Sequence, residues 1–176
     1  SIAAGMPLRW LQQRLGRVTI VRVMPNLPAT VGCGFSAMAL GRAATARHRA
    51  IARALFEAVG EVVEIPERLF DAITAVSGSG PAYVFYFIEA WERAARQLGL
   101  PPPIATAAVR TTIEGSARLL QASGEAPSTL IRRVASKKGP TEAALKVLAA
   151  RRVAAHFMEA LQAAARRSRT LTALRG

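Results

Sequence analysis

The chain has 176 residues, enough for one domain or two small ones with a hydrophobic core. Hydrophobic residues make up 51% of it, a composition that excludes an intrinsically disordered chain. Lysine and arginine number 24 against 11 acidic residues, which gives a net charge of +13. The basic residues are spread through helical patterns and do not interleave with aromatic residues, so we do not expect a nucleic-acid binder.

Several protein classes are excluded by what the sequence contains. The longest apolar run, Pro81 to Ile88, is too short to span a membrane and is followed by Glu89. The first ten residues lack the charged start of a secretion signal. A single cysteine, Cys33, excludes an internal disulfide framework, and two histidines without ligand spacing argue against a metal site. We therefore expect a cytoplasmic protein.

Up to about Ile65, the pattern alternates between strand and helix. Arg17 to Val23 and the "EVVEI" segment before Pro66 are rich in β-branched residues and predict strands, with a weaker strand at Gly34 to Leu40. Between them, Thr45 is a plausible N-cap for an amphipathic helix, and Gly60 stands where a C-terminal glycine belongs. This order is typical of the tail end of an α/β domain.

After Pro66 the pattern becomes helical throughout. Helices are predicted over "ERLFDAITAVSG", Pro81 to Leu98, Ile104 to Ala122, "PSTLIRRVA", and Glu142 to Leu171, the last as one helix or two. Gly99 and three prolines end the second of these. The predicted fold class is therefore mainly α, with an all-helical domain preceded by the tail end of a Rossmann-like α/β domain.

The segment "SGSGPAYVF", Ser77 to Phe85, resembles a glycine-rich phosphate loop but lacks its third glycine and does not follow a strand. It predicts instead a tight corner between helices, with Pro81 at a helix start. The helix that follows is apolar on all sides and must be covered on all sides. In so short a chain, a partner subunit is the natural cover.

Four segments resemble, in order and spacing, the carboxy-terminal half or more of pyrroline-5-carboxylate reductase. They are "RVMPNLPATVGCGFSAMA", "LFDAITAVSGSGPAYVFYFIEAW", "LGLPPPIATAAVRTTIEGSARLL" and "VASKKGPTEAALKVLAARRVAAHFMEAL". The resemblance implies that residues 1–65 are the remnant of a dinucleotide-binding α/β domain and that residues 66–176 form a helical dimerisation and substrate-binding domain. It implies a homodimer or higher homo-oligomer, with the active site between the two domains.

The resemblance also implies an activity, the last step of proline biosynthesis. Hydride passes from NADPH or NADH to the imine carbon of 1-pyrroline-5-carboxylate and yields proline. The catalytic residue that it implies is Thr141, whose hydroxyl contacts the ring nitrogen. Ser136, Gly139 and Pro140 complete the substrate-binding loop around Thr141, in which backbone amides hold the substrate carboxylate.

Four further residues match cofactor-binding positions of the family: Asn26, Glu67, Ser77 and Gly78. No segment supplies the glycine-rich phosphate turn of the family, so we expect this chain alone to bind a dinucleotide only weakly. The leading hypothesis is accordingly the terminal part of a reductase, with its active site incomplete.

The substrate loop departs from the family pattern, which is S-P-G-G-T-T or close to it, whereas this chain has "SKKGPT". Lys138 replaces a glycine, and Pro140 removes an N–H group that can be worth about 10²–10³ in rate. The departure favours a second hypothesis, a non-catalytic dimerisation module; a basic helical protein that binds polyanions is a third. Thr141 is also an adequate N-cap for a helix from Glu142, and Glu67 is also explained by the preference of acidic residues for helix starts.

Overall fold

The computed structural model describes residues 1–174 of the chain. Eleven regular elements position the residues of interest, and they follow in chain order as α1 (Leu8–Leu15), β1 (Val21–Met24), β2 (Gly34–Leu40), α2 (Ala46–Glu57), β3 (Gly60–Glu64), α3 (Phe70–Ile73), α4 (Gly80–Gln97), α5 (Pro102–Ser123), α6 (Pro127–Val134), α7 (Pro140–Ala150) and α8 (Val153–Ala173). The predicted fold class is confirmed: a small sheet precedes a series of helices, and no strand follows Glu64 within the described part of the chain.

The chain divides into two compact units. The first comprises residues 1–83 together with the chain from residue 159 onward, and the second comprises residues 84–158. The domain division predicted at residues 65 and 66 concerns the domains of the family and stays a prediction.

A three-stranded sheet organises the first unit. β2 is the central strand; it pairs antiparallel with β1 and parallel with β3. Helix α2 packs on this sheet, where Ala52 and Phe56 cover a core of Val23, Met38 and Val62. The predicted bounds of β2 are confirmed, whereas β1 is shorter than the predicted strand from Arg17.

Helix α2 begins as predicted but ends differently. Thr45 is its N-cap, and the backbone N–H of Thr45 donates to His48 Nδ1 at 3.2 Å. The helix ends at Glu57 with Ala58 as its C-cap, so the prediction of Gly60 as the helix-terminating glycine is wrong. Gly60 instead opens β3 with φ 149°, and a Cβ there would lie 2.0 Å from the carbonyl oxygen of Gly34. Glycine is needed at this position because two strands approach closely.

At the predicted corner, Ser77 to Pro81, the chain forms a π-helical turn, called here the π turn, which covers Thr74–Gly78. A 3₁₀ turn (Glu67–Leu69) leads into α3, which continues as a π-helix (Thr74–Gly78). Ser79 links this segment to α4 with φ −88° and ψ −16°, and its N–H donates to the carbonyl oxygen of Thr74 at 2.8 Å. The backbone therefore stays right-handed through both serines, and the wide turn re-aims Ser77 and Gly78 relative to a regular helix.

The second unit is helical. Its small core joins Ala95 of α4 to Ala105 and Val109 of α5. Gly99 ends α4 with φ 94°, which confirms the predicted helix stop, and Gly124 ends α5 with φ 64°.

The segment predicted as one or two helices from Glu142 is two, α7 and α8. They are separated at Arg151 and Arg152, and Arg152 adopts φ 53°. Helix α7 begins at Pro140, two residues earlier than predicted, with Gly139 as its N-cap. Thr141 is therefore the second residue of the helix, and its predicted role as an N-cap is wrong.

Among residues 1–174, none of the helices has the length and apolar character that crossing a membrane would need.

Candidate functional site

Asn26 and Ser77, two of the predicted cofactor-binding residues, are in direct contact. Asn26 follows β1, and its Nδ2 donates to the Ser77 hydroxyl oxygen at 3.2 Å and to the Ser77 carbonyl oxygen at 3.3 Å. Its Oδ1 accepts from the N–H of Phe35 at 2.9 Å. The Asn26 amide thus joins the end of β1 to β2 and to the π turn. Because Ser77 Oγ accepts from Asn26, its own O–H remains available to donate.

Gly78 brings the backbone of the π turn close to β1. A Cβ at this position would lie 2.8 Å from the terminal methyl carbon of Met24. Asn26, Ser77 and Gly78 therefore form one half-buried cluster, named here the Asn26 cluster, in which the Ser77 hydroxyl keeps a donor available.

Glu67, the fourth predicted cofactor residue, lies in a different set of contacts. Its Oε1 accepts from Arg22 Nη1 at 2.8 Å and from the N–H of Leu8, the first residue of α1, at 2.6 Å. Arg22 is only 4% exposed, and its guanidinium carbon lies 4.4 Å from the centre of the Phe70 ring. The Glu67 carboxylate therefore neutralises a buried cation and caps a helix, which goes well beyond favouring a helix start.

Asp71 links α3 to the far end of the chain. Its Oδ1 accepts from the Ser168 hydroxyl at 2.6 Å and from the Thr172 hydroxyl at 3.3 Å. Ser168 and Thr172 lie one turn apart on α8, and both belong to the first unit. This contact joins α3 to the end of α8 within the first unit.

The predicted substrate loop in the second unit begins with a tight turn. The N–H of Gly139 donates to the carbonyl oxygen of Ser136 at 3.0 Å. Lys138, in the third position of this turn, adopts φ 59°, a left-handed conformation that costs a residue with a side chain about 1 kcal/mol or more. A Cβ on Gly139 would lie 2.2 Å from Ser136 Oγ, a side-chain atom that can rotate away, and 3.1 Å from the Ser136 carbonyl oxygen, so the fourth position is tightly packed.

Glu142 holds this turn from the first turn of α7. Its Oε2 accepts from the N–H of Lys138 at 2.6 Å, and its Oε1 lies 2.6 Å from Lys146 Nζ. The hydrogen bond from Lys146, and secondly the one from the Lys138 backbone, lower the pKa of the Glu142 carboxyl below its ordinary value of 4.5. The carboxylate is therefore ionised at neutral pH with both oxygens in use.

Thr141 leaves its hydroxyl available. Pro140 occupies the first position of α7, where the missing N–H would have no helical partner in any case. The first backbone bond of the helix runs from Ala143 N–H to the Gly139 carbonyl oxygen at 3.2 Å. Within residues 1–174, the hydroxyl of Thr141 and the N–H groups of Thr141 and Glu142 have no hydrogen-bond acceptor, which leaves three donors at one helix end.

The structure thus places the predicted residues in three sets: the Asn26 cluster, the Glu67 contacts, and the loop of Ser136, Gly139, Pro140 and Thr141. The sequence interpretation missed two partners that hold these sets, Arg22 and Lys146, and it also missed Ser168 and Thr172, the partners of Asp71. An arginine inside a β-branched run is a signal that could have indicated Arg22, and the Glu142–Lys146 spacing of four residues could have indicated Lys146. In the described part of the chain, no group of histidine, cysteine, aspartate and glutamate residues could hold a metal ion.

A family model described as "Pyrroline-5-carboxylate reductase dimerisation" matches residues 67–171. Among curated relatives, pyrroline-5-carboxylate reductase of Synechocystis sp. is 43% identical over 171 residues, which cover 97% of this chain and 64% of the relative. The reductase of Arabidopsis thaliana is 42% identical over 172 residues, which cover 98% of this chain and 62% of the relative. The chain therefore spans less than two thirds of the length of these relatives.

Solved structures of pyrroline carboxylate reductases are also similar to this chain. Plasmodium falciparum pyrroline carboxylate reductase with NADP bound superposes with a TM-score of 0.93 at 30% identity, covering 98% of this chain and 70% of the other. A pyrroline-5-carboxylate reductase from Coxiella burnetii gives a TM-score of 0.91 at 34% identity, covering 98% of this chain and 64% of the other. The family match, the relatives and the superpositions lead to one conclusion: the chain belongs to the pyrroline-5-carboxylate reductase family.

Proposed function

We propose that this chain is part of an NAD(P)H-dependent reductase that converts 1-pyrroline-5-carboxylate to L-proline. The observation that carries the proposal is family membership over nearly the whole chain, at 43% and 42% identity to two reductases. The complete reaction adds a hydride to the imine carbon while the ring nitrogen takes up a proton. The protein has to orient the substrate and polarise the C=N bond.

The loop from Ser136 to Thr141 is the proposed substrate site. The Thr141 hydroxyl donates to the ring nitrogen, whose electron density rises as the hydride arrives. The N–H groups of Thr141 and Glu142 bind the substrate carboxylate at the positive end of α7. Ser136 and Gly139 shape the loop, and Pro140 fixes the start of the helix without contributing an N–H group. The free hydroxyl of Thr141, which is not used as a helix cap, supports this assignment.

The Asn26 cluster is the proposed contact for the nicotinamide end of NADPH or NADH, the group that supplies the hydride when bound. The Ser77 O–H is available to donate a hydrogen bond to the cofactor, and Gly78 beside it has no side chain to block the approach of a ligand. Glu67 can accept from a ribose hydroxyl through Oε2, since its contacts to Arg22 and Leu8 use Oε1. Residues 1–176 contain no glycine-rich phosphate turn, so the residues named here would hold only one end of the dinucleotide.

We also propose that the chain assembles as a homodimer or a higher homo-oligomer. Helix α4 leaves Phe85 at 55%, Tyr86 at 68% and Trp91 at 48% exposure, all within the matched dimerisation region. Aromatic surface of this extent is typical of a subunit interface. Tyr86→Glu should convert the oligomer to monomers in analytical ultracentrifugation, whereas Arg47→Glu on α2, outside the matched region, should not. An unchanged oligomer in Tyr86→Glu would refute this interface.

The activity is tested on the natural polypeptide that contains residues 1–176. Steady-state oxidation of NADPH and of NADH is measured with 1-pyrroline-5-carboxylate, and proline is quantified in the same samples. We expect proline to form in proportion to the oxidised cofactor. An oligomeric protein that produces no proline would refute the proposal and favour the non-catalytic dimerisation module that the "SKKGPT" loop indicates.

We also propose a cytoplasmic location, which the lone exposed cysteine, Cys33, supports.

A further inference from the structure

The loop before α7 contains a conformational conflict. Lys138 adopts φ 59°, in the region that favours glycine, yet it is a lysine. Gly139, the N-cap of α7, has no side chain with which to accept a helix N–H or to stabilise the turn. The Gly139 N–H closes the turn on the Ser136 carbonyl oxygen, but neither side chain offsets the cost at Lys138, so a contact from another residue adds stability to this conformation.

Glu142 supplies that contact from an unusual position. It is the third residue of α7, from which a glutamate in a capping box accepts the N–H of the N-cap residue. Here its Oε2 accepts instead from Lys138, one residue before the N-cap, at 2.6 Å. The bond therefore fixes the orientation of the Lys138 peptide, the unit whose left-handed conformation is costly.

Lys146 fixes the glutamate in turn. Its Nζ lies 2.6 Å from Glu142 Oε1, one helical turn further along α7. The pair holds the Glu142 side chain in the rotamer that points back toward the loop, and it balances the negative charge that would otherwise stand beside an anionic substrate. A lowered pKa of the Glu142 carboxyl agrees with this double engagement.

We propose that Glu142 is a positioning residue, which locks the Ser136–Gly139 turn so that Thr141 and the free N–H groups of α7 keep a fixed geometry toward the substrate. The proposal rests on the proposed function, because that function makes the loop the substrate site. Glu142 acts here through the backbone of Lys138, and the carboxylate itself does not touch the substrate. Pro140 contributes no N–H group, so substrate binding relies on the remaining donors, and the turn sets the positions of those donors.

The decisive comparison uses Lys138→Gly as a rescue. Glycine adopts the left-handed conformation without steric cost, so Lys138→Gly should make the Glu142 clamp dispensable. The variants are Glu142→Ala, Glu142→Gln and the double variant Lys138→Gly with Glu142→Ala, all made in the natural polypeptide. Glu114→Ala is the matched control, because Glu114 forms the same type of pair with Arg118, at 2.7 Å, on the exposed side of α5.

Two readouts are measured on each variant. The first is hydrogen exchange at the Gly139 amide, which donates to Ser136 within the turn. The second is the pair of KM values, for 1-pyrroline-5-carboxylate and for NADPH. In Glu142→Ala we expect faster exchange and a KM for the imine raised about tenfold, with the KM for NADPH unchanged. Glu142→Gln, which keeps an acceptor oxygen, should fall between Glu142→Ala and the unsubstituted protein.

The double variant should recover both the slow exchange and the low KM. The inference is overturned if Glu142→Ala behaves like Glu114→Ala, or if Lys138→Gly restores neither readout, since the carboxylate would then act through its charge. If the unsubstituted protein reduces no 1-pyrroline-5-carboxylate, the proposed function fails by itself. The exchange of the Gly139 amide still decides whether Glu142 locks the turn.

Discussion

The Glu67 carboxylate lies 2.8 Å from the guanidinium of Arg22, which comes 45 residues earlier in the chain and is 4% exposed. A buried arginine is tolerated because a carboxylate and the face of Phe70 surround it. The same Glu67 oxygen caps α1 through the N–H of Leu8. One side chain thereby joins β1, α1 and the start of the helical segment that leads to Ser77.

Glu67→Ala should therefore be strongly destabilising. It leaves the Arg22 charge buried without its partner and removes the cap of α1, which we expect to lower the free energy of unfolding by about 3 kcal/mol. Glu64→Ala is the control, because it breaks the more exposed pair with Arg49 and should cost only about 0–1 kcal/mol. Urea denaturation measures both. Equal effects of the two substitutions would contradict a structural role of the Glu67 contacts.

Substitutions in the Asn26 cluster should affect protein stability and cofactor affinity to different degrees. Asn26→Ala removes the acceptor of the Phe35 N–H and should lower the free energy of unfolding by about 1–3 kcal/mol. Ser77→Ala keeps the hydrogen bond from Asn26 to the Ser77 carbonyl oxygen and should cost about 0.5–1.5 kcal/mol. Under the proposed function, however, Ser77→Ala should raise the KM for NADPH severalfold. Urea denaturation and steady-state kinetics test the pair, and an unchanged KM would remove Ser77 from the proposed cofactor contacts.

Two glycines of the first unit should respond differently to alanine. At Gly78 the added Cβ meets only the terminal methyl of Met24, a flexible side chain that can move, so Gly78→Ala should change the free energy of unfolding by less than about 1 kcal/mol. At Gly34 the Cβ would lie 2.7 Å from Ala29 Cβ and 2.9 Å from the carbonyl oxygen of Val59. Backbone cannot yield as easily, so Gly34→Ala should cost about 3 kcal/mol. Thermal denaturation that ranks them in the opposite order would contradict this packing.

Thr141 should prove dispensable for folding and important for rate. Because Gly139 is the N-cap of α7, Thr141→Ala should leave the free energy of unfolding within about 0.5 kcal/mol of its original value. Loss of the proposed hydrogen bond to the ring nitrogen should lower kcat by about 10²–10³. Thr141→Ser, which keeps the hydroxyl, should retain most of the rate. A fall in stability with kcat unchanged would instead indicate a capping role.

Much of this fold could be predicted from local patterns. The β-branched "EVVEI" segment, the helix stop at Gly99 and the cap at Thr45 are each decided by neighbours in sequence, and each prediction was confirmed apart from small shifts in bounds. Gly60 was misassigned because its requirement comes from Gly34, which lies 26 residues away and is a contact that no local pattern contains.

In the candidate site, too, some features could be predicted from the sequence and others depend on tertiary structure. Which residues lie in the loop followed from a family resemblance, but the start of α7 at Pro140 depends on Gly139 adopting an extended backbone that lets the helix begin early. That shift removes Thr141 from the cap position. The π turn that re-aims Ser77, and the long-range hydrogen bond from Ser168 to Asp71, have no counterpart in periodicity, because both are set by tertiary contacts.

The central claim is that this chain takes part in hydride transfer to an imine, and isotope transfer tests it most directly. The natural polypeptide is supplied with 1-pyrroline-5-carboxylate and NADPH carrying deuterium at the transferable position, and the proline formed is examined by mass spectrometry. We predict one deuterium in each proline, bound to the carbon that was the imine carbon, and formation of this product about 10²–10³ times more slowly in Thr141→Ala. Absence of labelled proline from a folded, oligomeric protein would contradict the assignment of a reductase.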